Sequence, residues 1–130
     1  MAPNVIARFL VTAFFAVVFT QSSLDKLLDR EGNLAYLTEH FKNAPLPSDA
    51  VRRMLSVLTA IEALAAGLCG LGLITGGFAH AGFSIAAWGV IMAGVALLCL
   101  MVGQRLAKDY AGAAVVAAYF AVALIGIALY

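Results

Sequence analysis

Residues 54–74 read MLSVLTAIEALAAGLCGLGLI, an apolar run whose single charge is Glu62. A helix rising about 1.5 Å per residue covers about 30 Å over this length, the hydrocarbon thickness of a bilayer. A carboxylate near the middle of such a helix costs about 3 kcal/mol unless it is paired or protonated. The stretch therefore predicts a transmembrane helix with an acid that has a task.

Three more runs of the same kind flank it. Phe9–Leu24 has no charged residue, and its helix can continue through Asp25 and Lys26 to Leu28. Ala81–Val102 and Ala111–Tyr130 also carry no charge. With their borders, the four spans run over about 7–28, 52–74, 79–102 and 111–130, a single transmembrane domain over residues 1–130. The expected fold is all-α: an integral membrane four-helix antiparallel bundle. Composition agrees, with 64% hydrophobic and 12% charged residues and a mean hydropathy of +1.00. A soluble domain carries about twice that share of charge. A net charge of +1 without a basic, aromatic-interleaved run gives no sign of nucleic acid as a partner. Arg8 followed by Phe9–Phe19 has the outline of a signal peptide, but no A-x-A-like site follows, so a retained helix is expected.

The connections differ in character. Gly76-Gly77 predicts a tight turn, and Gly103–Tyr110 joins the last two spans. In the longer first connection, Asn33 is a candidate cap for a short interfacial helix, with Leu34, Leu37 and Phe41 on one side. Pro45 and Pro47 break that helix, and Ser48 is a candidate cap for the second span. Lys26, Arg30, Lys42, Arg52 and Arg53 border the first connection, and Arg105 and Lys108 the third; only Arg8 lies on the other side. Basic residues collect in cytoplasmic loops, so these two connections are expected inside and both termini outside.

The candidate site is Glu62 with what can face it. Gln21 and Ser22 lie about 6–8 Å along the first span from Lys26. Antiparallel neighbours would bring either one opposite Glu62, while Thr59 shares the face of Glu62. Neutral partners favour a protonated acid; Lys26 reaching in would keep it ionised. Glu62 can thus be a structural hydrogen-bond hub, a contact for a quinone, lipid or other small ligand, or a proton-coupling group. Small residues at Ala66/Gly70, Gly82/Ala86 and Gly89/Ala93, and at Gly94, predict close helix packing or a docked partner helix.

Other chemistry is sparse. Cys69 and Cys99 belong to opposite leaflets and cannot form a disulfide. His40 and His80 fall on opposite sides of the membrane, too far apart for one metal or haem. No catalytic or metal-ligating constellation stands out. An enzymatic role is at most that of a non-catalytic subunit of an oxidoreductase.

Several stretches together resemble the DoxX-like family of small four-helix bacterial membrane proteins. They are Arg8-Phe9-Leu10, Ser23-Leu24-Asp25-Lys26-Leu27, Glu62-Ala63-Leu64-Ala65-Ala66-Gly67-Leu68, and Gly103, Arg105, Asp109 and Tyr110 before the last helix. Serine at 22 and 23 departs from the pattern, in which glycine usually precedes the lysine motif. The resemblance implies a bacterial cytoplasmic (inner) membrane protein near respiratory or redox chemistry, whose termini, by the basic-residue bias, would be periplasmic. Lys26, Glu62, Arg105, Asp109 and Tyr110 are its candidate residues. The expected function is an accessory or quinone-proximal subunit of a larger membrane oxidoreductase or respiratory complex. Its partners would be membrane lipids and other membrane subunits or itself; its ligand would be a quinone or lipid, with no covalently bound cofactor. Two alternatives stand beside it: a small proton-coupled transporter acting as a dimer, and a purely structural membrane protein.

Overall fold

Pro3 and Gly76 mark the ends of the first helical pair. Proline sits in the opening turn of α1 (Pro3–Leu28), where its missing N–H costs nothing. Gly76, with φ +74°, takes the left-handed conformation just beyond α3 (Ala50–Ile74), ending it without a Cβ clash. The computed structural model describes residues 1–47 and 49–130. The remaining helices among these are α2 (Arg30–His40), α4 (Ile85–Leu106) and α5 (Tyr110–Leu129). α1, α3, α4 and α5 are each long and apolar enough to cross a membrane.

The caps differ from the sequence expectation in two places. Asp29, not Asn33, caps α2: its carboxylate accepts from the Gly32 N–H at 3.2 Å. Asn33 lies inside the helix and donates back to the carbonyls of Asp25 and Asp29. An acid directly after α1 is better placed because it ends one helix and starts the next at a single residue. The Ser48 cap falls outside the described residues.

The third span is displaced from 79–102 to Ile85–Leu106. The second connection is not a tight turn. Gly77–Ala79 form a 3-10 turn, and Gly82 takes φ +100°. Ser84 then caps α4 by accepting from the Ala87 N–H and donates to the Gly77 carbonyl. At its other end α4 runs on through Gly103, Gln104 and Arg105, since charge in the headgroup zone does not break a helix. Only Ala107–Asp109 remain as the third connection, with Lys108 at φ +58°. Asp109 caps α5 by accepting from the Gly112 N–H at 2.9 Å. α1 and α3 also begin earlier than the predicted spans, at residues 3 and 50.

Contacts between helix ends show the antiparallel arrangement. Arg8, near the start of α1, is buried and donates to the carbonyls of Phe78, Leu129 and Ala79 at 2.8, 3.0 and 3.3 Å. One guanidinium thus ties the start of α1 to the end of α5 and to the connection after α3. Thr12 Oγ1 adds a 2.7 Å hydrogen bond with the Tyr130 hydroxyl. The other seven Lys and Arg residues lie towards the opposite end of the bundle.

α4 is the most enclosed of the long helices. It packs on α3 and α5; α3 packs also on α1, and α2 lies against α1 and α3. Phe15 and Phe19 of α1, Ala65 and Cys69 of α3, and Val90, Ala93 and Leu97 of α4 form the core. The α3–α4 seam uses Gly72 and Gly89. A Cβ on Gly72 would stand 2.5 Å from Ala86 Cα, and one on Gly89 2.6 Å from the Cys69 amide nitrogen. Gly70 is not at the seam, since a Cβ there would meet nothing within 4 Å, whereas Ala66 packs against the core. Gly82 is not helical at all. Cys69 and Cys99 are both free thiols. Cys69 packs against Gly89, and Cys99 lies ten residues, about 15 Å, further along α4.

Candidate functional site

Ser22 and Lys26 are four residues apart on α1 and so share a face. Helical side chains lean towards the N-terminus, which sends the Lys26 stem back into the bundle rather than out to the headgroups. Its Nζ donates to Ser22 Oγ at 2.8 Å and stands 3.1 Å from Glu62 Oε2. Ser22 Oγ in turn donates to the same carboxylate oxygen at 3.0 Å. The Lys26 side chain is 14% exposed and that of Glu62 1%. Twelve residues separate Glu62 from the start of α3, about 18 Å of helix. The ion pair bridges two helices that are each long and apolar enough to cross a membrane.

The network leaves one atom over. Glu62 Oε1 is buried without a hydrogen-bond partner. A carboxylate oxygen in that position retains its acceptor capacity, and a buried unpartnered acceptor is costly. Oε2 is paired with Lys26 and Ser22, whereas Oε1 has no hydrogen-bond partner among the described residues.

Two sequence candidates do not join this site. Gln21 is exposed on α1, one residue and therefore about 100° round from Ser22. Thr59 is buried below Glu62, but its hydroxyl donates to its own helix, to the Leu55 carbonyl at 2.6 Å. Ser22 and Lys26 are the partners that the structure brings together with Glu62.

Arg105, Asp109 and Tyr110 form a separate group where α4 turns into α5. The Arg105 guanidinium lies over the Tyr110 ring, 4.7 Å from its centroid. Asp109 Oδ2 is 3.9 Å from His40 Nε2, which is 2.9 Å from Gln104 Oε1. None of these residues is bonded to Glu62. From sequence, His40 was weighed only as a metal or haem ligand and Gln104 was passed over, although a glutamine next to Arg105 and a histidine closing a short helix are the signals that could have found the pair. Their bond holds the end of α2 to α4.

An apolar groove of about 510 Å³ also opens between α2, the first half of α3 and the last half of α4. Its walls include Leu37, Phe41, Leu58 and Cys99, with Arg53 and Gln104 as its charged and amide side chains. Compared with known proteins, the chain matches no family model, and neither a curated protein nor a solved structure is significantly similar to it.

Proposed function

We propose that this chain is an accessory subunit of a larger membrane oxidoreductase, of the DoxX-like kind that its sequence resembles, and that Glu62 lies where the chain meets a quinone. The observation that carries this reading is the divided carboxylate. Oε2 is held by Lys26 and Ser22 while Oε1 stands buried and unpartnered. A quinol hydroxyl beside Oε1 would donate to it, and the Lys26 ammonium would offset charge left as the proton moves. The sparse chemistry elsewhere fits a subunit that positions a ligand for a partner carrying the redox centres.

Glu62→Gln tests the reading. The amide oxygen keeps an acceptor for Ser22 and Lys26, so the chain should still assemble with its partners in native membranes. Those partners should include a flavin, haem or iron–sulfur subunit, and quinol-linked electron transfer should fall at least about tenfold, the loss of about 1.4 kcal/mol at the barrier. Full electron transfer in Glu62→Gln, or purification of the native chain without any redox subunit, would sink the proposal. Normal function would leave a structural role; a substrate gradient lost without such subunits would favour the proton-coupled dimer.

In this reading the membrane is the bacterial cytoplasmic membrane, with the first and third connections in the cytoplasm and both termini periplasmic. The support is the gathering of seven basic residues at one end. Single cysteines at Asn43 and His80, in a chain lacking Cys69 and Cys99, should show opposite labelling. Both positions are exposed. An impermeant thiol reagent added to spheroplasts is expected to reach position 80 and not 43; the reverse result inverts the topology.

A further inference from the structure

The groove between α2, α3 and α4 shares no lining residue with the Glu62 network and calls for its own occupant. We infer that it holds one acyl chain of an anionic glycerophospholipid, with the phosphate against Arg53. Its walls are almost wholly apolar: Leu37 from α2 and Phe41 just after it, Leu58 from α3, Leu100 and Leu106 from α4. Along α4 the lining runs from Leu106 to Cys99, about 10 Å of helix. The groove therefore starts at the charged end and enters the apolar region for about a third of the bilayer core.

The lining chemistry selects the occupant. The wall is a narrow apolar strip between α3 and α4, along which a single hydrocarbon chain, much thinner than a helix, can lie. The charge is the second consideration. Among the described residues Arg53 is the only charged one on the wall, and its side chain is 78% exposed. Its Nη2 binds Asp49 Oδ2 at 2.6 Å, which leaves further N–H donors for an anion. Guanidinium groups bind phosphate oxygens through paired donors, so a phosphate-bearing headgroup with net negative charge matches this edge. Leu37 of α2 and Phe41 beyond its end then cover the first part of the chain from the headgroup side.

The experiment uses the full chain purified with equal amounts of phosphatidylglycerol and phosphatidylcholine of identical acyl chains, read by native mass spectrometry. One phosphatidylglycerol per chain should be retained, favoured over phosphatidylcholine about fivefold, the worth of one arginine near an anionic surface. Arg53→Gln should bring the ratio to about one. Val57→Trp and Val102→Trp fill the groove from positions that are 58% and 55% exposed, so the core stays intact. Each should lose retention of both lipids. Equal retention by the unaltered chain, a preference that survives Arg53→Gln, or lipid retained by both tryptophan variants would overturn the proposal. So would a dimer that the tryptophan variants dissociate, because the groove would then belong to a second copy.

Discussion

Lys26→Met is expected to destabilise the bundle by about 3–5 kcal/mol, more than Glu62→Leu does. The asymmetry follows from where each charge is left. Without Lys26, Glu62 keeps only the Ser22 hydroxyl on Oε2 and nothing on Oε1. It stands about 18 Å into α3 and is fully buried. Without Glu62, Lys26 sits two residues before the end of Pro3–Leu28 and is already 14% exposed. Its flexible stem can turn towards the headgroups, so Glu62→Leu should cost less, about 1–3 kcal/mol, chiefly from the stranded Ser22 hydroxyl and altered packing. The double variant Lys26→Met/Glu62→Leu removes both charges and should recover most of the loss. Unfolding in mixed micelles by rising SDS fraction measures all three. A Lys26→Met chain as stable as the parent would show that the ion pair contributes nothing to the fold.

Glycines should divide sharply by position along α3 and α4. Gly89→Ala is expected to cost at least 1–3 kcal/mol, and Gly89→Leu to prevent the two helices from closing. The added atoms would enter the Cys69 backbone, which cannot turn aside as a flexible side chain could. Gly72→Ala should behave likewise against Ala86. By contrast, a Cβ on Gly67 or Gly70 meets nothing within 4 Å. Alanine there should leave stability unchanged or raise it by up to about 1 kcal/mol, because alanine loses less backbone freedom in a helix. The same SDS unfolding, run on the four alanine variants, reads the contrast. Equal effects at all four sites would mean that the α3–α4 seam is placed wrongly.

The four spans follow from the sequence alone because the bilayer imposes them. A run of about twenty apolar residues has one stable solution in lipid, a helix that satisfies its own backbone. Residues 54–74 were therefore legible as a helix with an acid in it, and the lateral neighbourhood of α1 and α3 followed from chain order. The last residues of each helix were less legible. Asp29, Ser84 and Asp109 cap through local hydrogen bonds, whereas Asn33 carries the same propensity and sits inside a helix. Several residues compete for each cap, and tertiary packing chooses among them.

What faces Glu62 was decided by tertiary structure. Gln21 and Ser22 are equivalent by spacing and depth, yet about 100° of helix rotation separates them. The packing of Phe15 and Phe19 into the core sets that rotation, placing Ser22 and Lys26 inward and leaving Gln21 exposed. The same holds for the glycines: composition marked α3 and α4 as able to pack closely, but only the crossing point distinguishes Gly72 and Gly89 from Gly67 and Gly70. Arg8 read as a charge that helps to orient the chain, and became a clamp once three carbonyls from distant segments converged on it. The groove had no sequence signature, since a leucine lining it and a leucine facing lipid are the same residue. Hydropathy along the chain thus determined what crosses the membrane. Which side chains meet there depended on helix rotation and crossing, which a one-dimensional pattern does not contain.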